Sequence, residues 1–388
     1  MDLIKLIIVI LIGILAGTFT GLAPGIHINL VASIVLINFV LLNSFFDINA
    51  IIIFIIVMGV THSFIDFIPS VLFGVPSEDT ILSVMPAHRL VLQGEAYKAI
   101  YISAIGSLYG VFFIILISPI FYFTLEKAYT SIAFIIPYLL IFVILFLIFS
   151  EKDNNLRLWA FIITLFSGCF GLFLLNTYTT DNSMLILFTG MFGVSGIFYS
   201  LFENSKLPKQ NFEFKFKYSR NFFKAISIGG ISSSICCISP GIGNAQAASI
   251  STAFYKDIDT ENFIILTSAI NTINFVLSII TFYLITKSRN GAIVVVAQIA
   301  QSITFKQCLF YMLIVLIVSI IGFYFTIYLG KKLINFVSKL NMKAINISIL
   351  SFLFLIIYVL TGYIGILMLL TSFFLGVLAV SVGVRRIH

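Results

Sequence analysis

Gly21-Leu22-Ala23-Pro24-Gly25-Ile26-His27-Ile28-Asn29 interrupts one long apolar run, and Ile238-Ser239-Pro240-Gly241-Ile242-Gly243-Asn244-Ala245-Gln246 interrupts another. Proline removes a helix donor and clashes with the preceding turn, and glycine permits a sharp reversal. Each break is followed by small and amide residues and then by more apolar chain. One such interruption in each half of a membrane chain is a pointer to a transporter binding site.

The surrounding composition makes this a membrane chain. Of 388 residues, 60% are hydrophobic and 10% charged, with mean hydropathy +1.15, whereas a soluble domain carries about 25% charge. The net charge of +7 is not a nucleic-acid signal, because the basic residues sit between apolar segments, where they report membrane orientation. Cys169, Cys236, Cys237 and Cys308 lie in or beside apolar stretches without metal-ligand spacing to histidines, so they read as small buried hydrophobes. Met1 to Ala16 has signal-peptide character, but the apolar chain runs on past it, and the region is read as retained structure.

At about 20 apolar residues per crossing, the chain divides into thirteen hydrophobic segments: 3–20, 27–43, 48–74, 97–123, 132–150, 156–176, 182–202, 222–238, 241–255, 260–286, 307–330, 344–361 and 363–384. The segments beside the Pro-Gly breaks are short and suit hairpins meeting near the membrane middle. The basic stretches 203–224 and 331–343 and the C-terminus at Arg385-Arg386 are expected on the cytoplasmic side of a plasma membrane. Walking outward from them gives an outside N-terminus and an inside C-terminus.

Loop 287–306 then falls outside despite Lys287, Arg289 and Lys306. An internal repeat accounts for it. Asp79 to His88 resembles Asn290 to Gln298, in the same order as the two Pro-Gly motifs. Segments 97–123, 132–150 and 156–176 pair with 307–330, 344–361 and 363–384, leaving 182–202 to join the halves. The expected fold is an all-α polytopic membrane protein of two inverted-topology repeats with Pro-Gly-broken helical hairpins. Its parts are repeat one over 1–180, a linking helix and basic loop over 181–221, and repeat two over 222–388.

Three groups of residues could carry chemistry. The first is the pair of tips: Gly21, Pro24, Gly25, His27 and Asn29, opposite Ser239, Pro240, Gly241, Gly243, Asn244 and Gln246. Helices starting after each tip would aim free N–H groups at the space between, which favours an anion. His27 has the plainer alternative of capping the helix that follows. The second is Thr61-His62-Ser63-Phe64-Ile65-Asp66, with the uncharged counterpart Asn271-Thr272-Ile273-Asn274. Ionisable groups inside a span are expensive and usually face a cavity or a partner. His62 and Asp66 are four apart on one helical face, and Asp66 suits a coupling cation or a proton. A His–Asp pair that only locks packing is the plainer reading. The third is Gly74 to Ala96, an interfacial or re-entrant segment whose Arg89 suits a carboxylate or phosphate, or simply anchors a helix end.

No Gly-x-x-x-x-Gly-Lys-Ser/Thr loop, His-Glu-x-x-His or Gly-x-Ser-x-Gly occurs. No enzymatic activity, cofactor, metal or nucleic-acid partner is expected.

Gly21-Leu-Ala-Pro-Gly-Ile26, Ser239-Pro-Gly-Ile-Gly243, Phe73-Gly-Val-Pro-Ser-Glu-Asp79 and Met85-Pro-Ala-His-Arg-Leu-Val-Leu-Gln-Gly-Glu-Ala-Tyr-Lys-Ala99 together resemble the TctA family, the large membrane subunit of tripartite tricarboxylate transporters. The resemblance covers most of residues 10–300. It implies a cation-coupled carboxylate permease, fed in bacteria by an extracytoplasmic binding protein and a small membrane subunit. The chain departs from the usual members in being shorter. It has Pro24-Gly25-Ile26-His27 where they have Pro-Gly-Leu-Gly, and Gly74-Val-Pro-Ser-Glu78 where they have Pro-Gly-Thr-Pro. It is closer to small archaeal relatives, for which dependence on a binding protein is not implied.

The expected function is thus secondary transport of a small organic anion across the lipid bilayer, coupled to Na+ or H+, with one repeat rocking against the other. Two other readings stay open. One is a polyprenyl-phosphate translocase, since those carriers also have paired Pro-Gly loops and carry an anion. The other is a membrane scaffold that transports nothing.

Overall fold

The computed structural model describes residues 2–23, 26–74, 81–132, 136–177, 183–202, 208–238, 243–255, 258–288, 290–337 and 342–384. Every regular element among them is helical. The first half holds α1 (Leu3–Leu22), α2 (Ile28–Ile37), α3 (Phe39–Phe45), α4 (Ile48–Ile65), α5 (Phe67–Phe73), α6 (Ile81–Leu92) and α7 (Ala96–Ile132). Then come α8 (Ile136–Phe149), α9 (Asn154–Thr177), α10 (Ser183–Phe188), a π-helical turn at Thr189–Val194 and α11 (Ser195–Phe202). The second half holds α12 (Arg220–Ile238), α13 (Asn244–Phe254), α14 (Thr260–Ile285), α15 (Gly291–Ala300), α16 (Phe305–Val337) and α17 (Met342–Val382).

Seven of these helical stretches are long and apolar enough to cross a membrane, or eight if α2 and α3, bent by 77° at their junction, count as one span. This is fewer than the thirteen apolar segments of the sequence. Some of those segments, such as that of α13, fold into helices too short for a full crossing. The boundary expected between 344–361 and 363–384 is present inside α17. Gly362 has φ 70° and ψ −164°, a conformation open essentially to glycine alone. It divides α17 into two arms, each about 30 Å long at 1.5 Å per residue.

Burial separates the helices into two kinds. The apolar windows of α4–α5 and α14 are 94% and 89% buried, against 22% for α1 and 11% for α9. The first two are therefore the centre of the protein and the others present apolar faces to lipid. Close approach to the centre depends on small residues. Gly13, Gly17 and Gly21 recur every fourth residue along α1 and face Val57, Met58 and Ile65 of α4. On α7, Gly106 and Gly110 face Ser268 and Ala269 of α14. Without a hydrophobic drive between helices in lipid, such small-residue seams let dispersion contacts accumulate.

The two halves pack reciprocally. Helix α1 lies on α4 as α12 lies on α14. Helix α7 crosses to α14 as α16 crosses to α4, and α6 reaches α14 as α15 reaches α4. Helices α4 and α14 meet where Gly59 faces the ring of Phe275 and Asp66 meets Asn271.

Candidate functional site

The meeting of α4 and α14 places polar side chains at the protein's centre. Asp66 sits at the α4–α5 junction and is 3% exposed. A lone ionisable group at the middle of a span costs about 3 kcal/mol on insertion scales, so its partners matter. Asn271 Nδ2 donates to Asp66 Oδ2 at 3.0 Å. Asn244 Nδ2 donates to Asn271 Oδ1 at 3.3 Å. Asn274 Nδ2 donates to Asn244 Oδ1 at 2.6 Å. An ionised carboxylate only accepts, so Asp66 fixes the orientation of each amide in turn. The acid of the first half is thereby linked to Asn244, the first residue of α13 after the second break.

The first break is tied to the same helix. Thr20 in the last turn of α1 donates to Gly17 O at 3.2 Å. Its hydroxyl also meets Nδ1 of His62, 3.0 Å away. His27 accepts from Asn29 N–H at Nδ1, at 3.3 Å, and caps α2. The proton of its neutral ring then lies on Nε2. The His27 and His62 rings meet edge to face, 5.0 Å between centroids. Both breaks therefore reach the α4–α5 stretch, one through histidines and the other through amides.

The remaining candidate residues distribute as follows. Gln246 accepts from the N–H of Gly243 at 3.0 Å, closing the start of α13. One N–H at each helix start is thus bonded within the protein, which reduces the set left for an anion. Asn29 packs where α2 crosses Gly291 of α15, and its buried Oδ1 accepts from no group among the described residues. Gly21 is a packing glycine, whose added Cβ would stand 2.8 Å from Ile65 Cβ. Ser63 donates to Val60 O of its own helix. Arg89 is exposed on α6. Pro24, Gly25, Ser239, Pro240 and Gly241 lie outside the described residues.

Two participants were not singled out from the sequence. Thr20 holds His62 but looks like an ordinary helix threonine until α1 is placed on α4. In Pro86-Ala87-His88-Arg89 the inward residue is His88, with Nδ1 3.1 Å from Val71 O. A basic residue facing an apolar helix and one facing solvent read alike in a segment this short. Among the described residues no group of three or more His, Cys, Asp or Glu side chains could hold a metal ion.

The family model described as Tripartite tricarboxylate transporter TctA family matches residues 7–388. The chain belongs to the TctA family. The uncharacterized protein MJ1079 of Methanocaldococcus jannaschii is 32% identical over 381 residues, covering 96% of this chain and 93% of that protein. No solved structure matches. Membership in TctA makes this a multi-pass membrane protein of a transporter family, and it spans the whole of the central site within the match.

Proposed function

We propose that the chain is a plasma-membrane permease that carries a small organic anion, most simply a carboxylate, between the two Pro-Gly breaks. One observation carries this reading: a buried acid in the first half is joined through Asn271 and Asn244 to the break in the second half. A change in the charge or occupancy of Asp66 is then felt where the second tip begins. The family supports transport, and the reciprocal packing of the halves supports an inverted repeat.

In this reading the coupling cation, Na+ or H+, acts at Asp66 with Asn271 and Asn274 around it, and His62 and Ser63 flank it one turn earlier. A proton on Asp66 would add one O–H donor while the other oxygen still accepts from Asn271; a sodium ion would need the amide oxygens turned inward. The anion is held by the helix starts at Ile28 and Asn244, with His27 Nε2–H and Asn29 as side-chain donors. Helices α7 and α16 each pack on the other half, and the motion in this reading is one repeat rocking against the other. A small membrane subunit and an extracytoplasmic binding protein are the partners that the family's three-component name suggests.

The test is flux in proteoliposomes. Purified chain should take up a di- or tricarboxylate when a sodium or proton gradient is imposed, and Asp66→Asn should uncouple that uptake from the gradient. Gradient-driven uptake unchanged in Asp66→Asn rules out the assigned coupling site. Uptake of a polyprenyl phosphate in place of carboxylates selects the lipid-carrier reading.

A further inference from the structure

Residues 208–219 carry a regular pattern that transport leaves unused. Phe212, Phe214, Phe216 and Tyr218 alternate with Asn211, Glu213, Lys215 and Lys217. The segment has no regular secondary structure and runs along the start of α7 as a strap. Its near end is pinned by Gln210, whose amide donates to Val91 O at 3.0 Å and accepts from Ala96 N at 2.9 Å. Asn211 N–H donates to Gly94 O at 2.7 Å. Alternation then sorts the side chains, since neighbours in extended chain face opposite ways. Phe212 meets Tyr97 at 6.0 Å between centroids, Phe214 meets Tyr101 at 5.6 Å and Tyr218 meets Tyr109 at 5.7 Å. Glu213, Lys215 and Lys217 are exposed on the other side.

The strap lies against the start of a helix longer than the hydrocarbon core. The apolar part of α7, Ala96–Leu125, is about 45 Å long at 1.5 Å per residue, against a hydrocarbon core of about 30 Å. About ten residues of it exceed that thickness, and the strap lies along its first turns, from Tyr97 to Tyr109. Lys98, bonded to Glu95 and Glu261 at 2.9 and 2.7 Å, lies in the same turns.

Below the cations an apolar face opens. Phe223, Ile231 and Ile235 of α12 are 51%, 55% and 46% exposed and stand eight and four residues apart, on one side of the helix with Ser227 between the first two. Arg220 stands at its head. Tyr218 stacks over Phe223, with 6.4 Å between centroids and 22° between planes. Cations over an interfacial tyrosine over a lipid-facing stripe match an acidic phospholipid from headgroup to acyl chain.

We infer that Lys215, Lys217 and Arg220, with Tyr218 and the exposed stripe of α12, form a site for an anionic phospholipid. A bound lipid would brace α12, whose far end leads into the second break. This inference is independent of what is transported.

The test uses full-length chain in detergent micelles doped with phosphatidylglycerol or phosphatidylcholine, read by thermal melting and native mass spectrometry. Phosphatidylglycerol should raise the melting temperature above that in phosphatidylcholine, less so at high salt, and remain bound in the spectrum. The Lys215→Gln, Lys217→Gln, Arg220→Gln variant should melt like wild type in phosphatidylcholine and lose both effects of phosphatidylglycerol. Equal effects of the two lipids on wild type, or a full phosphatidylglycerol effect in the variant, overturns the site. If glycerol phosphate alone reproduces the rise, the stripe plays no part and the lipid assignment falls. A variant that loses a co-purifying protein while its lipid response stays intact makes the strap a protein interface instead.

Discussion

Asn271 and Asp66 come from different halves of the chain and meet through one hydrogen bond of 3.0 Å, Nδ2 to Oδ2, between the two most buried helices. Because a carboxylate can only accept, this bond orients a chain of amides that ends on Asn274. An acid that merely filled space would need no such order.

Asp66→Asn and Asp66→Ala should therefore behave differently. An asparagine at 66 can satisfy Asn271 with either end of its amide, so the variant should fold and melt near wild type while losing gradient-driven flux. Alanine leaves the buried Asn271 donor without this acceptor and should cost about 1–3 kcal/mol. Thermal melts of both variants beside flux assays separate the two roles. Equal melting losses for Asn and Ala would mean that the amides do not follow the acid.

Gly59 and Phe275 set the distance between the same two helices. A Cβ on Gly59 would enter the Phe275 ring. Gly59→Ala should destabilise by about 1–3 kcal/mol, as overpacking does, and Phe275→Leu should restore part of the loss. A double-mutant cycle on melting free energies measures the coupling. Strict additivity would show that the helices are held apart by other contacts.

The sequence made the membrane class legible because composition alone excludes a soluble core. It also made Asp66, Asn244, Asn271 and Asn274 legible, since polar groups inside apolar runs need partners whatever the fold. It did not show that Asn244 would bond to both Asn271 and Asn274, because helix rotation is decided by packing such as the glycine seam of α1. Nor did it separate His88 from Arg89, which are adjacent and both polar. Hydropathy counted thirteen segments because it reads apolar character and not helix ends; α13 stops too soon to cross. The boundary at residue 362 was legible because the apolar run 344–384 is long enough for two crossings.

Gly362→Ala should expose the cost of that bend. At φ 70° and ψ −164° an L side chain is strained by about 1–3 kcal/mol, while nothing within 4 Å crowds a Cβ. A loss in this range, read by melting, would come from backbone conformation alone. An unchanged melting temperature would mean that the arms of α17 can straighten without penalty.

Membrane orientation gives the last prediction. Inverted halves require the loop before α15 and the basic strap before α12 to face opposite sides. The odd feature is Lys287, Arg289 and Lys306 on the side that usually lacks basic residues. The assignment rests on the match between Asp79–His88 and Asn290–Gln298 and on the crosswise packing of α6 on α14 and α15 on α4. With Cys169, Cys236, Cys237 and Cys308 replaced by serine or alanine, Ser288→Cys and Lys217→Cys each provide one reporter at a loop position. An impermeant maleimide added to intact cells should label Ser288→Cys and spare Lys217→Cys until the membrane is opened. Labelling of both from the same side would rule out inverted halves.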